Sequence, residues 1–266
     1  MRPGDRCGAG SAIQHQGVST VEHTRGQIAG RTGVGQQPGP CHRAGLTGDR
    51  SGAQHREAAA CALPCRGAAG PGRASAYGAR AFAELVLPAM GDLGSRLAAP
   101  GARMLDAGTG VGALAIAFAR VFPQLHVLGI DVLDRPLELA RQNIAASDVA
   151  ARVTVRKQDV AGLTDGTGFD LAYLPAPFVP PPALREGLLR VAAALRPGGW
   201  AFVARGKFGG TPAEDALTRL KTLVYGGAPL GEAEASDLLR AAGLTSVRPV
   251  PTPEGAPGIS IGQKPA

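Results

Sequence analysis

The sequence predicts an α/β fold over residues 76–266, in which a mostly parallel β-sheet carries helices on both of its faces. The first observation behind this prediction is that short apolar runs, typical of buried strands, alternate with longer runs of helical spacing. The second is a glycine-rich turn that directly follows the first strand and leads into a helix, as in the βαβ units of parallel sheets.

The region before the glycine turn predicts a kinked helix and then a strand. Four apolar residues recur there at helical spacing: Phe82, Leu85, Val86 and Met90. Pro88 lies within this run and predicts a kink or two short helices, because proline cannot continue the hydrogen-bond ladder of a helix. Residues 102–105 are then typical of a short buried strand.

Six more strands and five helices are predicted from the turn onward, so the sheet has seven strands in all. The strands are predicted at 126–131, 153–159, 169–175, 200–206, 246–252 and 257–263. The helices are predicted at 113–122, from Asp134 to Ile144, from Leu184 to Leu195, at 213–225 and at 231–242. We expect Asp134 to cap its helix, Pro136 to occupy the first turn, and the RPGG segment at 196–199 to end the helix before it.

Residues 1–75 differ sharply from the rest in composition. They contain no Phe, Tyr or Trp, 15 glycines, and 9 arginines against 4 acidic residues, so they carry +5 of the formal net charge of +7. So few large apolar side chains cannot offset the entropy lost on ordering the chain. We therefore predict a disordered N-terminal segment, 1–75, before one folded domain, 76–266. Its arginines could bind RNA or other anions, or could be solvated without a partner.

The cysteines predict neither a metal site nor disulfide bonds in the domain. All four lie in 1–75, where Cys61 and Cys65 have a CxxxC spacing and no second ligand pair follows at zinc-finger distance. A domain without cysteine is typical of a reducing compartment. The chain also has no apolar run long enough for a signal peptide or a membrane span. These features predict a cytoplasmic protein that has no membrane partner.

Three carboxylates fall at the carboxyl ends of successive predicted strands: Asp106, Asp131 and Asp159. Ligands of open parallel sheets bind at this edge, so these acids and the glycines of LDAGTGVG (105–112) predict a binding cleft. The glycine spacing departs from the dinucleotide pattern G-x-G-x-x-G, and Asp106 would repel a pyrophosphate. An acid at this position favours a cationic ligand, whereas Asp131 is placed to bind a ribose diol.

These motifs together resemble those of the class I S-adenosylmethionine-dependent methyltransferases. LDAGTGVG is similar to the first motif of the family. GIDV (129–132) and KQDV (157–160) are similar to its next two acidic motifs, and LRPGGW (195–200) is similar to its loop before the fifth strand. The resemblance covers about 77–264. It implies a Rossmann-like, doubly wound sheet and S-adenosyl-L-methionine as the cofactor.

The same resemblance implies a set of cofactor-binding residues. Asp106 and Gly108 would face the methionine end of the cofactor, Asp131 its ribose, and Asp159 with Val160 its adenine. The full set is Asp106, Ala107, Gly108, Thr109, Gly110, Asp131, Val132, Asp159, Val160 and Pro175.

The fourth motif, LPAPF (174–178), departs from the N/D/S-P-P-Y/F pattern of family members that methylate amino groups. Leu174 cannot accept a hydrogen bond from an amino group, which disfavours that subclass. Phe178 and the VPPP that follows would form a rigid apolar wall, or this segment is simply a loop stiffened by proline.

The resemblance implies transfer of a methyl group, and we expect a small molecule as its acceptor. One alternative is an RNA or protein acceptor anchored by the arginines of 1–75, but nucleic acid is not favoured because 76–266 has 19 basic and 17 acidic residues. Another alternative is a binding module without catalytic activity. A nicotinamide oxidoreductase is disfavoured by the glycine spacing.

The sequence identifies no catalytic base. His126 is the one histidine in 76–266, and it begins the strand 126–131, at the edge of the sheet away from the glycine turn. We therefore expect an acceptor that is already nucleophilic or easily ionised.

Overall fold

The computed structural model describes residues 78–252 and 256–266, which form one seven-stranded sheet with helices packed on both faces. The predicted N-terminal segment 1–75, with its cysteines and four histidines, lies outside the described residues. Within the described part of the chain, no helix combines the length and apolarity that crossing a lipid bilayer requires.

The sheet has the strand order β3-β2-β1-β4-β5-β7-β6. Its strands are β1 Arg103–Ala107, β2 His126–Asp131, β3 Val153–Lys157, β4 Phe169–Pro175, β5 Leu195–Arg205, β6 Thr245–Val250 and β7 Gly258–Gln263. Neighbours among β1 to β5 are parallel, and β7 runs antiparallel to both β5 and β6. The predicted fold, a doubly wound and mostly parallel sheet of seven strands, is confirmed.

Six α-helices lie wholly within the described residues, and residues 78–81 are α-helical as well. The six are α1 Leu93–Ala98, α2 Ala113–Val121, α3 Asp134–Ala145, α4 Pro181–Ala194, α5 Pro212–Val224 and α6 Glu232–Ala241. Single 3₁₀ turns lie at Ala150–Arg152, Val160–Gly162 and Ala176–Phe178. Before α1 the chain forms a π-helical turn, Phe82–Val86, and a 3₁₀ turn, Leu87–Ala89, so it breaks at Pro88 as predicted.

Each face of the sheet has its own apolar layer. On one face the ring of Phe82 packs against Phe118 and Phe202, with centroid separations of 5.2 and 4.9 Å. On the other face, buried residues of α4 and α6, among them Leu188 and Leu239, pack with those of β4 and β5. The helices on both faces therefore exclude water from the strands of a parallel sheet.

Several local predictions were wrong. Leu85 is exposed, although its helical neighbours Phe82, Val86 and Met90 are buried. Asp134 is the first residue of α3 and caps nothing, since its carboxylate accepts a hydrogen bond from Lys157 Nζ at 2.6 Å. The strand predicted at 153–159 ends at Lys157. Helix α4 ends at Ala194, directly before the RPGG segment as predicted, but RPGG itself lies inside β5, where the pairing with β4 shifts register.

A buried carboxylate ties several elements together at the amino ends of the strands. Asp170 accepts hydrogen bonds from Arg96 Nη2 at 3.1 Å, from Arg196 Nη1 at 2.7 Å and from the backbone N–H of Arg103 at 3.0 Å. Asp170 itself is buried, whereas the two guanidinium groups are partly exposed. The carboxylate therefore joins α1, β1, β4 and the irregular start of β5 at the edge of the sheet opposite the glycine turn.

We predict that Asp170→Ala lowers the free energy of unfolding by about 2–4 kcal/mol, because it removes the buried carboxylate that accepts from the Arg103 N–H and from two guanidinium groups, which keep only backbone carbonyls or exposed partners. Urea unfolding measures the loss. Asp237→Ala removes the exposed carboxylate that pairs with Arg240 and should leave stability nearly unchanged. Equal losses in the two variants would contradict the role given to Asp170.

Candidate functional site

Three glycines turn the chain from β1 into α2. Gly108, Gly110 and Gly112 have φ angles of +73°, +55° and +77°, a backbone conformation that other residues adopt only with strain. A Cβ atom on Gly108 would lie 3.2 Å from Pro175 Cγ. Glycine at this position therefore lets the turn after β1 pack closely against the end of β4.

The end of β2 holds this turn in place. The backbone N–H groups of Gly108 and Thr109 both donate to the carbonyl oxygen of Ile130, at 2.8 and 3.0 Å. The Asp131 carboxylate accepts from Gly110 N at 2.9 Å through Oδ2 and from Leu133 N at 3.0 Å through Oδ1. Each carboxylate oxygen has lone pairs for a second donor, so Asp131 can fix the turn and also bind a ligand.

Asp106 lies buried beneath the turn. The pKa of its carboxyl is raised to about 7, mainly by burial. The hydrogen bond from Thr109 lowers this pKa, and the nearby charge of Asp131 raises it. The Thr109 hydroxyl donates to Asp106 Oδ2 at 2.8 Å. A Cβ atom on Gly129 would lie 2.6 Å from Thr109 Oγ1, so glycine in β2 leaves room for this threonine.

Tyr173 is the neighbour of Asp106 in the sheet. The two residues pair in register across β1 and β4. Burial, together with the charge of Asp106, raises the pKa of the Tyr173 phenol above its usual range. The phenol therefore keeps its proton at neutral pH and can act as a hydrogen-bond donor next to the buried acid.

A cleft opens at the carboxyl ends of the strands, beside the glycine turn. Its lining residues are Gly108, Gly110, Ile130, Asp131, Val132, Leu133, Pro136, Gln158, Asp159, Val160, Phe178, Val179 and Tyr225. Most of them are apolar, and the carboxylates come from the end of β2 and from the loop after β3. Such a cleft suits a ligand with a flat apolar part and a few hydroxyl or amino groups.

The structure brings six of the ten predicted cofactor residues together in this cleft. They are Gly108, Gly110, Asp131, Val132, Asp159 and Val160. The other four support it: Asp106 and Thr109 form their hydrogen bond under the turn, Ala107 is buried in β1, and Pro175 contacts Gly108.

Asp159 has a structural partner besides its place in the cleft. Its Oδ1 accepts from the backbone N–H of Ala161 at 3.0 Å and so caps the 3₁₀ turn Val160–Gly162. Val160 packs against α4, where a Cβ atom on Gly187 would lie 2.6 Å from Val160 Cγ1. The loop after β3 is thus fixed before any ligand binds.

An aromatic pair that the sequence analysis did not foresee closes one side of the cleft. The rings of Phe178 and Tyr225 are 4.9 Å apart. The backbone N–H of Ala228 donates to the Ala176 carbonyl at 3.1 Å, and a side chain at Gly227 would clash with the Pro177 carbonyl. These contacts fix the residue after α5 against the turn after β4, so Phe178 is part of a wall, as one of the two alternatives expected.

Comparison with known proteins agrees with this geometry. Residues 104–199 match the family model described as a methyltransferase domain. This range includes the glycine turn, β2 to β4 and the acidic residues of the cleft.

Similar proteins have related descriptions. Release factor glutamine methyltransferase of Rhodopirellula baltica is 31% identical over 131 residues, which are 46% of this chain and 44% of that protein. The tRNA1(Val) (adenine(37)-N6)-methyltransferase of Porphyromonas gingivalis is 37% identical over 79 residues, 28% of this chain and 31% of that one. The chain therefore spans less than half the length of these two relatives.

The fold is also found in solved structures. The apo form of the S-adenosylmethionine-dependent methyltransferase SibL has a TM-score of 0.55 and 28% identity, and the match covers 68% of this chain and 54% of that one.

We predict that Asp106 makes stability fall with rising pH. Its carboxyl has a pKa of about 7 in the folded state and near 3.8 otherwise, so between these values the folded chain holds a proton that the unfolded chain has lost. Over this interval the free energy of unfolding decreases as pH rises, by at most about 1.4 kcal/mol per pH unit. Asp106→Asn removes this dependence.

Urea unfolding from about pH 4 to about pH 8, a range that spans the interval between the two pKa values, tests this prediction. The exposed Asp134 offers a matched control, because Asp134→Asn should keep the pH profile of the unmodified chain. Parallel profiles for Asp106→Asn and the unmodified chain would mean that the buried acid does not titrate in this range.

Proposed function

We propose that this chain, which belongs to the class I S-adenosylmethionine-dependent methyltransferase family, transfers a methyl group from S-adenosylmethionine to a small-molecule acceptor. The proposal rests on the glycine turn. Asp131 holds this turn at the cleft, and the hydrogen-bonded pair of Asp106 and Thr109 lies beneath it.

The residues of the cleft fit the parts of this cofactor. Asp131 presents a carboxylate that could accept hydrogen bonds from ribose hydroxyls. Val132, Val160 and Val179 offer apolar surfaces for a planar base, with Asp159 at its polar edge. The glycine turn lets the backbone come close to the amino-acid end.

When bound, S-adenosylmethionine supplies a methyl group on a positively charged sulfur, which a nucleophile can attack in line. The chain itself contributes mainly binding and orientation, which can lower the barrier substantially. We propose that Asp106 and Asp131 supply the negative charge that favours a cationic ligand at the turn. The aromatic wall of Phe178 and Tyr225 would exclude water from that side of the cleft.

The end of β4 supports an acceptor other than an amino group. Leu174 is buried in the apolar layer on the α4 face, so it neither lines the cleft nor offers an acceptor atom to an amino group. Among the residues that line the described cleft there is no histidine, and His126 lies exposed at the amino end of β2. These positions support an acceptor that needs no histidine base.

A second candidate is a macromolecular acceptor. The relatives from Rhodopirellula baltica and Porphyromonas gingivalis are described as acting on a release factor and on a tRNA, respectively. The arginines of 1–75 would then anchor the substrate, and binding would weaken steeply with salt. A cytoplasmic location, supported by the absence of cysteine from 76–266, would suit either acceptor.

Transfer of a labelled methyl group separates the two candidates. The full chain is incubated with radiolabelled S-adenosylmethionine and, in parallel, with a metabolite extract, total tRNA or ribosomal and release-factor proteins. We expect label in the metabolite fraction alone. Label in tRNA or protein would support the second candidate, and no label in any fraction, with the cofactor bound, would support a binding module.

We predict that Asp131→Ala weakens binding of S-adenosylhomocysteine by about 2–3 kcal/mol, the scale of charge-assisted hydrogen bonds to a partly buried ligand. Isothermal titration calorimetry gives the affinity. Asp134→Ala is the matched control: this carboxylate pairs with Lys157 outside the cleft, so affinity should not change. Unchanged affinity in both variants would remove Asp131 from the binding site.

We predict that His126→Gln retains its turnover once an acceptor is known, because His126 lies at the edge of the sheet away from the cleft. Initial rates with the identified acceptor measure this. A loss of several orders of magnitude in a variant with an intact circular dichroism spectrum would show that His126 takes part in the reaction.

A further inference from the structure

The outer face of α5 carries large apolar side chains that the described residues leave exposed. Seven large hydrophobic residues of the described chain are exposed, and four of them lie on this one helix of 13 residues. They are Leu217 (50% exposed), Leu220 (58%), Leu223 (62%) and Val224 (57%). Single exposed leucines are common on protein surfaces, but a contiguous apolar face of this kind marks an interaction site.

The inner face of α5 is polar, the reverse of an ordinary surface helix. Thr222 is its buried residue, and its hydroxyl donates to the Thr218 carbonyl at 2.9 Å. Beside this face, the exposed Arg219 places its guanidinium 4.7 Å from the centre of the Phe208 ring. A helix normally turns its apolar face to the core of its own domain. The apolar face of α5 is instead turned outward.

The spacing along this outer face is that of a coiled coil. Ala213, Leu217, Leu220 and Val224 follow one another at intervals of four, three and four residues, which are the d and a positions of a heptad. Two further pairs flank this seam. Ala216 and Leu223 lie along one side, and Glu214 and Lys221 along the other.

We propose that α5 packs against α5 of a second copy of this chain, antiparallel and about a two-fold axis. In this register Leu217 packs on Leu220 of the copy and Ala213 on Val224 of the copy, and symmetry repeats both layers. The same register places Glu214 beside Lys221 of the copy, twice. In a parallel pair this acid and this lysine would both face Ala216 and Leu223, so charge complementarity selects the antiparallel arrangement.

Other occupants of this face fit less well. Residues 1–77 contain two leucines, two isoleucines and three valines but no Phe or Trp, and their 15 glycines disfavour a helix that could complete a heptad seam. A lipid surface favours helices rich in Lys and Arg, whereas α5 has two acidic residues, Glu214 and Asp215, and two basic ones, Arg219 and Lys221. The face therefore fits its own copy.

The expected dimer is weak. Thirteen helical residues span about 20 Å, so two such helices bury less than the area typical of a permanent interface. Tyr225 directly follows α5 and lines the cleft, so the contact would border the proposed cofactor site. Its test does not depend on the proposed activity.

Sedimentation velocity of the full chain over about 1 to 200 µM measures this association. We expect a monomer–dimer equilibrium that Leu217→Glu together with Leu220→Glu weakens by at least about tenfold. The matched control is Leu85→Glu with Leu189→Glu, two leucines exposed to a similar degree elsewhere, which should leave the equilibrium unchanged. Circular dichroism checks that both double variants fold.

A charge variant tests the register. Lys221→Glu should weaken the dimer several-fold, because like charges would then meet twice across the axis. Adding Glu214→Gln should recover part of the loss, because it removes one of the two like charges that face each other. Glutamine also keeps the capping box that Glu214 forms with Thr211, so the helix is retained. A full chain that stays monomeric at every concentration, a dimer insensitive to the Leu217 and Leu220 changes, or a dimer indifferent to Lys221→Glu would each overturn the proposal.

Discussion

The hydrogen bond between the Asp131 carboxylate and the backbone N–H of Gly110 is the contact on which the geometry of the cleft depends. Glycines at positive φ give a turn little conformational preference of its own, because glycine loses more backbone entropy on ordering than any other residue. Contacts from β2 have to fix the turn instead. Asp131 supplies one and the Ile130 carbonyl two, and together they set how far the start of α2 stands from the end of β2.

Asp106 adds an electrostatic constraint beneath the same turn. A buried carboxylate is costly to ionise, and the hydrogen bond from Thr109 offsets only part of that cost, which leaves the pKa near 7. Positive charge brought to the turn by a ligand would favour the ionised form. The charge of Asp106 is therefore coupled to the charge of whatever binds in the cleft. The close fit of Thr109 over Gly129 keeps the acid, the threonine and the glycine turn in one packed unit.

The sequence predicts those features of the fold that depend on short segments. It does not predict features that depend on contacts between segments distant in the chain. Apolar runs and glycines are properties of short segments, so the seven strands and the positive-φ turn were predictable. The role of Asp134 depends on where α3 begins, and the register shift at 196–199 depends on how β5 pairs with β4. Tyr225 reaches the cleft only because Gly227 lets its loop pack against Pro177, a contact that no sequence pattern records.

Helix α5 shows the same limit most clearly. Its apolar residues recur at helical spacing just as those of α4 do, yet the face of α4 is buried and that of α5 is exposed. Periodicity states which residues share a face and leaves open what the face contacts. Because α5 contacts its own domain through a polar side, few apolar contacts stabilise it there, and segments of this kind open at low cost. A copy packed on its outer face would add the apolar contacts that α5 lacks within its own domain, next to Tyr225 and the aromatic wall of the cleft.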